Sequence, residues 1–245
     1  MQAVIMAAGE GKRMRPLTLS TPKPLLLVAG RPILEHILDA LPPEIDEVII
    51  VIGYRGDLIQ KHFGHGENVL RDGRRIKYVE QVEASGTAQA VELTQPLLTG
   101  KFLLMNGDDI HGAAALAEAV QQPLALIASH HEDPTRFGVL TVDGDNNLLE
   151  IIEKPENPVS NLVSTGAMVL DERIFEYKVT NPINGEYYLT DAIHRLATDH
   201  SMKVIEQSEW IPLGYPEDIA NAEQILDGRK SEADLGDLTD EPIGE

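Results

Sequence analysis

Short aliphatic runs alternate with helix-length amphipathic segments from residue 3 to residue 128, and few folds accept that order. The run that starts at residue 3, Val48–Ile52, Ile76–Val79, Phe102–Met105 and Leu124–Ala128 read as buried strands. Between them Ile33–Leu41, Leu58–Phe63, Thr87–Leu93 and Ala113–Val120 carry helical spacing, the first closed by Pro42-Pro43. The alternation predicts an α/β fold with a Rossmann-like, mostly parallel twisted sheet and helices on both faces. Strand order is not readable from it. Near Phe137 the texture changes to a hairpin (138–142 and 148–152), a strand 162–170, a helix 189–197, a strand 204–205 and a last helix 219–226. We read residues 1–227 as one domain, with parts of about 1–130 and 131–227, the second a smaller β/α subregion. The acid-rich segment 228–245 reads as a disordered tail.

The first strand empties into a loop of small residues and cations, Ala7-Ala8-Gly9-Glu10-Gly11-Lys12-Arg13-Met14-Arg15-Pro16, and then Pro22-Lys23-Pro24. Small side chains let a ligand approach the backbone and leave N–H groups free for an anion. Lys12, Arg13, Arg15 and Lys23 bring positive charge to the same place, which is chemistry for polyphosphate. A P-loop would need Gly at Met6 and Ser or Thr at Arg13, and a dinucleotide fingerprint a third glycine at Met14. Pro16, Pro22 and Pro24 keep the loop extended past Leu26 rather than helical.

Gly9-x-Gly11-x-Arg13-x-x-Pro16-Leu17-Thr18 followed by Pro22-Lys23-Pro24-Leu25 resembles the signature of the sugar-1-phosphate nucleotidylyltransferases, most nearly the glucose-1-phosphate thymidylyltransferase and uridylyltransferase branch. The resemblance covers residues 1 to 226. It implies a nucleotide site of Ala8, Gly9, Gly11, Lys12, Arg13, Gln81, Gly86 and Thr87. An amide such as Gln81 offers a donor beside an acceptor, matching the imide edge of uracil or thymine, so UTP or dTTP is the expected nucleotide. The resemblance places Mg²⁺ on Asp108 of Asn106-Gly107-Asp108-Asp109, with Asp109 solvated or capping. It places the sugar phosphate on Gly138, Glu153, Lys154 and Ser164, and has Gly185–Asp191 close over the sugar. Arg13, Lys23 and Asp108 are the implied catalytic set. Ser164, where bacterial N-acetylglucosamine-1-phosphate enzymes have Asn, leans toward glucose-1-phosphate over the N-acetylglucosamine-1-phosphate type. One position departs from the pattern: Trp210-Ile211-Pro212-Leu213-Gly214 has proline where the family has its second metal-binding aspartate. The runner-up is therefore a catalytically impaired regulator that binds nucleotide sugar.

With 20 basic against 40 acidic residues the formal charge is −20, which repels nucleic acid and anionic membranes and makes the local cation cluster more informative. The expected partners are a nucleoside triphosphate and a sugar-1-phosphate, with no nucleic acid and no membrane, and a homo-oligomer is compatible with the sequence. No cysteine is present, and the N-terminus opens at once on a core strand, so a cytoplasmic location is expected.

Overall fold

The computed structural model describes residues 1–64, 70, 72–183 and 185–237, with side chains as far as residue 228. Nine strands form one sheet: β1 Gln2–Ala7, β2 Glu47–Ile52, β3 Arg75–Glu80, β4 Phe102–Asn106, β5 Ala125–His130, β6 Gly138–Val142, β7 Leu148–Glu153, β8 Leu162–Leu170 and β9 Lys203–Glu206. The order is β7-β6-β8-β4-β1-β2-β3, with β5 pairing β8 and β9 pairing β5. The strands from β4 to β3 run parallel, whereas β8 is antiparallel to β4, β5 and β6.

Alternating residues of the parallel strands feed two separate cores. Ala3, Ile5, Val48 and Ile50 pack with α1 (Ile33–Ala40), α2 (Gly56–Phe63), α4 (Ala113–Ala119) and the start of α6 (Pro216–Asp237). Val4, Ile49, Val51 and Leu104 pack on the other face with α3 (Thr87–Glu92) and α5 (Thr190–Asp199). Burial on both faces is why these strands read as continuous apolar runs. Helices on both faces and a mostly parallel sheet agree with the sequence reading.

Two expectations need correction. The loop after β1 is not extended: it folds into three single 3₁₀ turns, Lys12–Met14, Leu17–Leu19 and Lys23–Leu25. Proline's preset φ suits such turns as well as it suits extended chain. The last helix also runs past Leu226 to Asp237, so the first part of the acidic segment is helical, and 238–245 lie outside the described residues. Among the described residues no helix is long and apolar enough to cross a membrane.

Candidate active site

The carboxyl ends of β4, β1, β2 and β3 meet backbone to backbone. Gly107 N–H donates to Met6 O at 2.9 Å, Tyr54 N–H to Ala8 O at 3.1 Å and Gln81 N–H to Ile52 O at 2.7 Å. A Cβ on Gly53 would stand 2.8 Å from Ala8 O and 3.0 Å from Gln81 O, so a side chain there would part the strand ends. The basic loop folds onto this edge. Gly11, at φ +60°, leaves room for Lys23 Cβ, which a Cβ on Gly11 would approach to 3.2 Å. Thr18 Oγ1 donates to Gly11 O at 2.8 Å, and Tyr54 OH to Thr18 O at 3.0 Å. Lys23 is carried inward as a result. It is buried, and its Nζ meets Asp108 Oδ2 at 2.7 Å. Gly9 faces open space, and Lys12 pairs at the surface with Glu10 at 3.4 Å.

Asp108 and Asp109 take opposite roles. Asp108 is 38% exposed at its side chain. Of the two expectations for Asp109, solvated or capping, the first fails because the residue is buried: a two-residue ribbon pairs Asp109–Ile110 with Ile211–Pro212 and closes over it. Its Oδ1 accepts from Leu213 N–H at 3.1 Å. Burial, with the charge of Asp108 beside it, pushes the Asp109 carboxyl up to about 7, against the pull of Lys23 and of Leu213 N–H. Beyond it His111 is buried, accepts from Gln207 Nε2 at 3.0 Å, and is pushed by burial down to about 4. Among the described residues no three acids or histidines cluster to hold a metal. The donor set still suits Mg²⁺, which is commonly held by one or two carboxylates completed by phosphate oxygens and water. Asp108 is the carboxylate available for that, since Asp109 is enclosed and Pro212 has no side-chain oxygen.

Gln81 is buried at the end of β3, its Nε2 donating to Gly86 O at 3.1 Å and Gln89 Oε1 at 2.9 Å, which directs Oε1 as the acceptor. Gly86 and Thr87 serve a contact the sequence does not announce. A Cβ on Gly86, at φ +119°, would lie 2.5 Å from Tyr187 O. Tyr187 N–H donates to Ser85 O at 2.8 Å, Ala88 N–H to Tyr187 O at 3.0 Å, and Leu189 N–H to Thr87 Oγ1 at 3.0 Å. Residues 185–190 are thus a strap bonded to the start of α3. The far end of the strap reaches the second cluster. Lys154 Nζ donates to Tyr188 OH at 2.9 Å and lies 3.5 Å from Glu153 Oε1. Lys154 takes φ +44°, a left-handed turn that a non-glycine residue adopts only when its surroundings enforce it. Burial raises the Glu153 carboxyl, partly offset by Lys154 and Thr190. Burial would lower Lys154, but the Tyr188 hydroxyl and Glu153 outweigh it and raise the ammonium. Gly138 is buried against Ile151 and Thr190, and Ser164 Oγ accepts from Gly166 N–H at 3.3 Å.

Arg13 lies on the Tyr215 ring, 5.3 Å from its centroid. Arg136, which the sequence reading passed over, lies 4.6 Å from the same centroid. Gln89 and Tyr215 were passed over as well. Gln89 stands in the same strand-loop-helix segment as Gln81, a signal that was available; nothing local links Arg136 to Tyr215.

The sequence model of the nucleotidyl transferase family matches residues 2–228. The chain is 37% identical over 229 residues to the bifunctional protein GlmU of Methanocaldococcus jannaschii, covering 92% of this chain and 54% of that protein. It thus spans about half the length of the GlmU relatives it matches. It is 35% identical over 246 residues to the UTP–glucose-1-phosphate uridylyltransferase AglF of Haloferax volcanii, covering 95% of this chain and 99% of that one. Among solved structures, a Bacillus anthracis protein assigned as a glucose-1-phosphate thymidylyltransferase, in complex with sucrose, superposes with a TM-score of 0.80 at 25% identity over 100% of this chain and 98% of its own. A UDP-glucose pyrophosphorylase complexed with UDP-glucose shares the fold, with a TM-score of 0.80 at 21% identity over 93% and 98% of the two chains.

Proposed function

The chain belongs to the nucleotidyl transferase family, among the sugar-1-phosphate nucleotidylyltransferases, and on that premise we propose that it joins a uridylyl or thymidylyl group to a glucose-1-phosphate-type substrate. The observation that carries this reading is Lys23 Nζ at 2.7 Å from Asp108 Oδ2, on the same strand-end edge as Gln81 and Gly11. A phosphate oxygen of the sugar-1-phosphate attacks the α-phosphorus of the triphosphate. The bond from that phosphorus to the β-phosphate oxygen breaks, and pyrophosphate leaves. The nucleophile is already mostly dianionic near neutrality, as phosphate monoesters with a second pKa of about 6 are, so no general base is required.

The barrier is repulsion between two polyanions, and catalysis is positioning with charge neutralisation. Arg13 takes the departing pyrophosphate, Lys23 the α-phosphate and sugar phosphate, and Lys154 the sugar phosphate. Glu153 accepts from sugar hydroxyls. Gln81 Oε1 accepts from the N–H of the pyrimidine imide edge, its Nε2 being committed to Gly86 and Gln89. Asp108 would hold Mg²⁺, which would supply further positive charge to the phosphates. Relatives named as enzymes support this reading over the silent regulator that Pro212 suggests.

A panel of four nucleoside triphosphates against glucose-1-phosphate and N-acetylglucosamine-1-phosphate, with and without Mg²⁺, tests it. Pyrophosphate release confined to UTP or dTTP with glucose-1-phosphate is the expected result. Release from none of the combinations overturns it.

A further inference from the structure

Gly214 stands beside two guanidinium groups and the Asp218 carboxylate. The point where a Cβ on Gly214 would sit lies 2.8 Å from Arg136 Nη2 and 4.0 Å from Arg13 Nη1, so the two charges are within about 7 Å of each other. Both pack on the Tyr215 ring. Among the described residues neither comes within 4.0 Å of a carboxylate oxygen, although the protein carries two acids for every base. Asp218 is near the same point, its Oδ2 3.5 Å away, but that oxygen accepts from Tyr215 N–H at 2.7 Å. Pro212 contributes no carboxylate to this segment. Arg136 Nε is buried without a hydrogen-bond partner. By contrast Lys12 and Arg15 share Glu10, and Arg31, Arg74, Arg75 and Arg173 each hold an acid.

Two like charges gathered on one aromatic ring, neither with a carboxylate oxygen within 4.0 Å among the described residues, favour the arrival of an anion. A planar guanidinium suits a phosphate oxygen pair. We propose that Arg136 is a second pyrophosphate-binding residue, which meets the departing pyrophosphate together with Arg13 from their shared seat on Tyr215. The proposal rests on the function given above. Arg136 lies next to Phe137, whose carbonyl accepts from Lys154 N–H at 2.9 Å, so the sugar phosphate is the competing ligand for it. The test separates the two.

Calorimetric titration of the whole chain with inorganic pyrophosphate, and separately with glucose-1-phosphate, reads the role. Arg136→Gln is expected to weaken pyrophosphate binding about 10- to 100-fold, as loss of a charge-assisted hydrogen-bond partner does, and to leave glucose-1-phosphate within about twofold. Arg136→Lys, which keeps the charge and loses the fork, should fall between. Gly214→Ala pushes the Arg136 guanidinium aside without removing it and should weaken pyrophosphate about tenfold; it decides the matter alone if Arg136→Gln does not fold. Unchanged pyrophosphate affinity in Arg136→Gln, or in Gly214→Ala where that variant stands alone, overturns the assignment. So does equal loss for both ligands. A wild-type chain that binds neither nucleotide nor pyrophosphate overturns the function as well.

Discussion

The two halves of the site, which the proposed function gives to the nucleotide and to the sugar phosphate, hold their cations by different means. In the nucleotide half Lys23 is enclosed, its side chain 7% exposed, because the loop is pinned by Thr18 and Tyr54 over strand ends that abut without side chains. In the sugar half the Lys154 side chain is 44% exposed, and its place depends on a left-handed turn and on Tyr188 of the strap. A group seated on the core keeps its aim whatever happens at the surface. A group held by a strap keeps it only while the strap stays bonded. Preorganisation is therefore greater on the nucleotide side, and substitutions should be felt unequally.

The largest effect belongs to Lys23→Ala: turnover, read as pyrophosphate release, should drop ~10²-fold or more, the scale for losing one charge-stabilising group. Wild-type turnover in that variant would take Lys23 out of the reaction. Next, Gly86→Ala should break the link between the halves. It forces a side chain into φ +119° and into the Tyr187 backbone, and denaturant melts should record a loss of about 2 kcal/mol. A melt unchanged from wild type would show that the strap is held elsewhere. Lys154→Ala should cost about tenfold in kcat/KM, carried mostly by KM for the sugar phosphate. An effect as large as that of Lys23→Ala would erase the contrast between the halves.

The smallest effect lies in the pH dependence of the buried pair behind the nucleotide half. His111, depressed to about 4 in the fold, contributes stability that is present above its ordinary value of 6.5 and is lost as pH falls. Asp109, raised to about 7 from 3.8, contributes stability that is present at low pH and is lost as pH rises. The slopes oppose each other between pH 4 and 6.5. Asp109→Asn should therefore expose the first slope, losing about 1 kcal/mol against wild type between pH 6.5 and 5.5. His111→Gln should expose the second, losing a similar amount as pH climbs through the same interval. Parallel stability curves for wild type and both variants would show that neither group is shifted.

Much of the first half was legible because its signals are local. The β-branched runs, the glycines at 9 and 11 and the Pro-Lys-Pro element each act within a few residues of themselves. What was missed comes from distant segments meeting. Asp109 reads as solvated or capping because nothing near it announces the ribbon that Ile211–Pro212 lays over it. Gly86 and Thr87 read as nucleotide contacts, yet both also serve the strap, a hundred residues away in sequence. Arg136 and Tyr215 lie in different elements and carry no shared motif. The end of α6 differs for another reason: an acid-rich segment with few apolar residues reads as disordered, although the helix runs through its first part to Asp237.

Strand β8 is hydrogen-bonded along both margins. On one it meets β4, the strand that leads to Asp108, and further along, at Val163, β6; on the other it meets β5. One continuous strand therefore runs through both regions and ties them into a single sheet. Under the proposed function, the residues given to the two reactants are thereby carried on one hydrogen-bonded ladder, and its register sets their spacing.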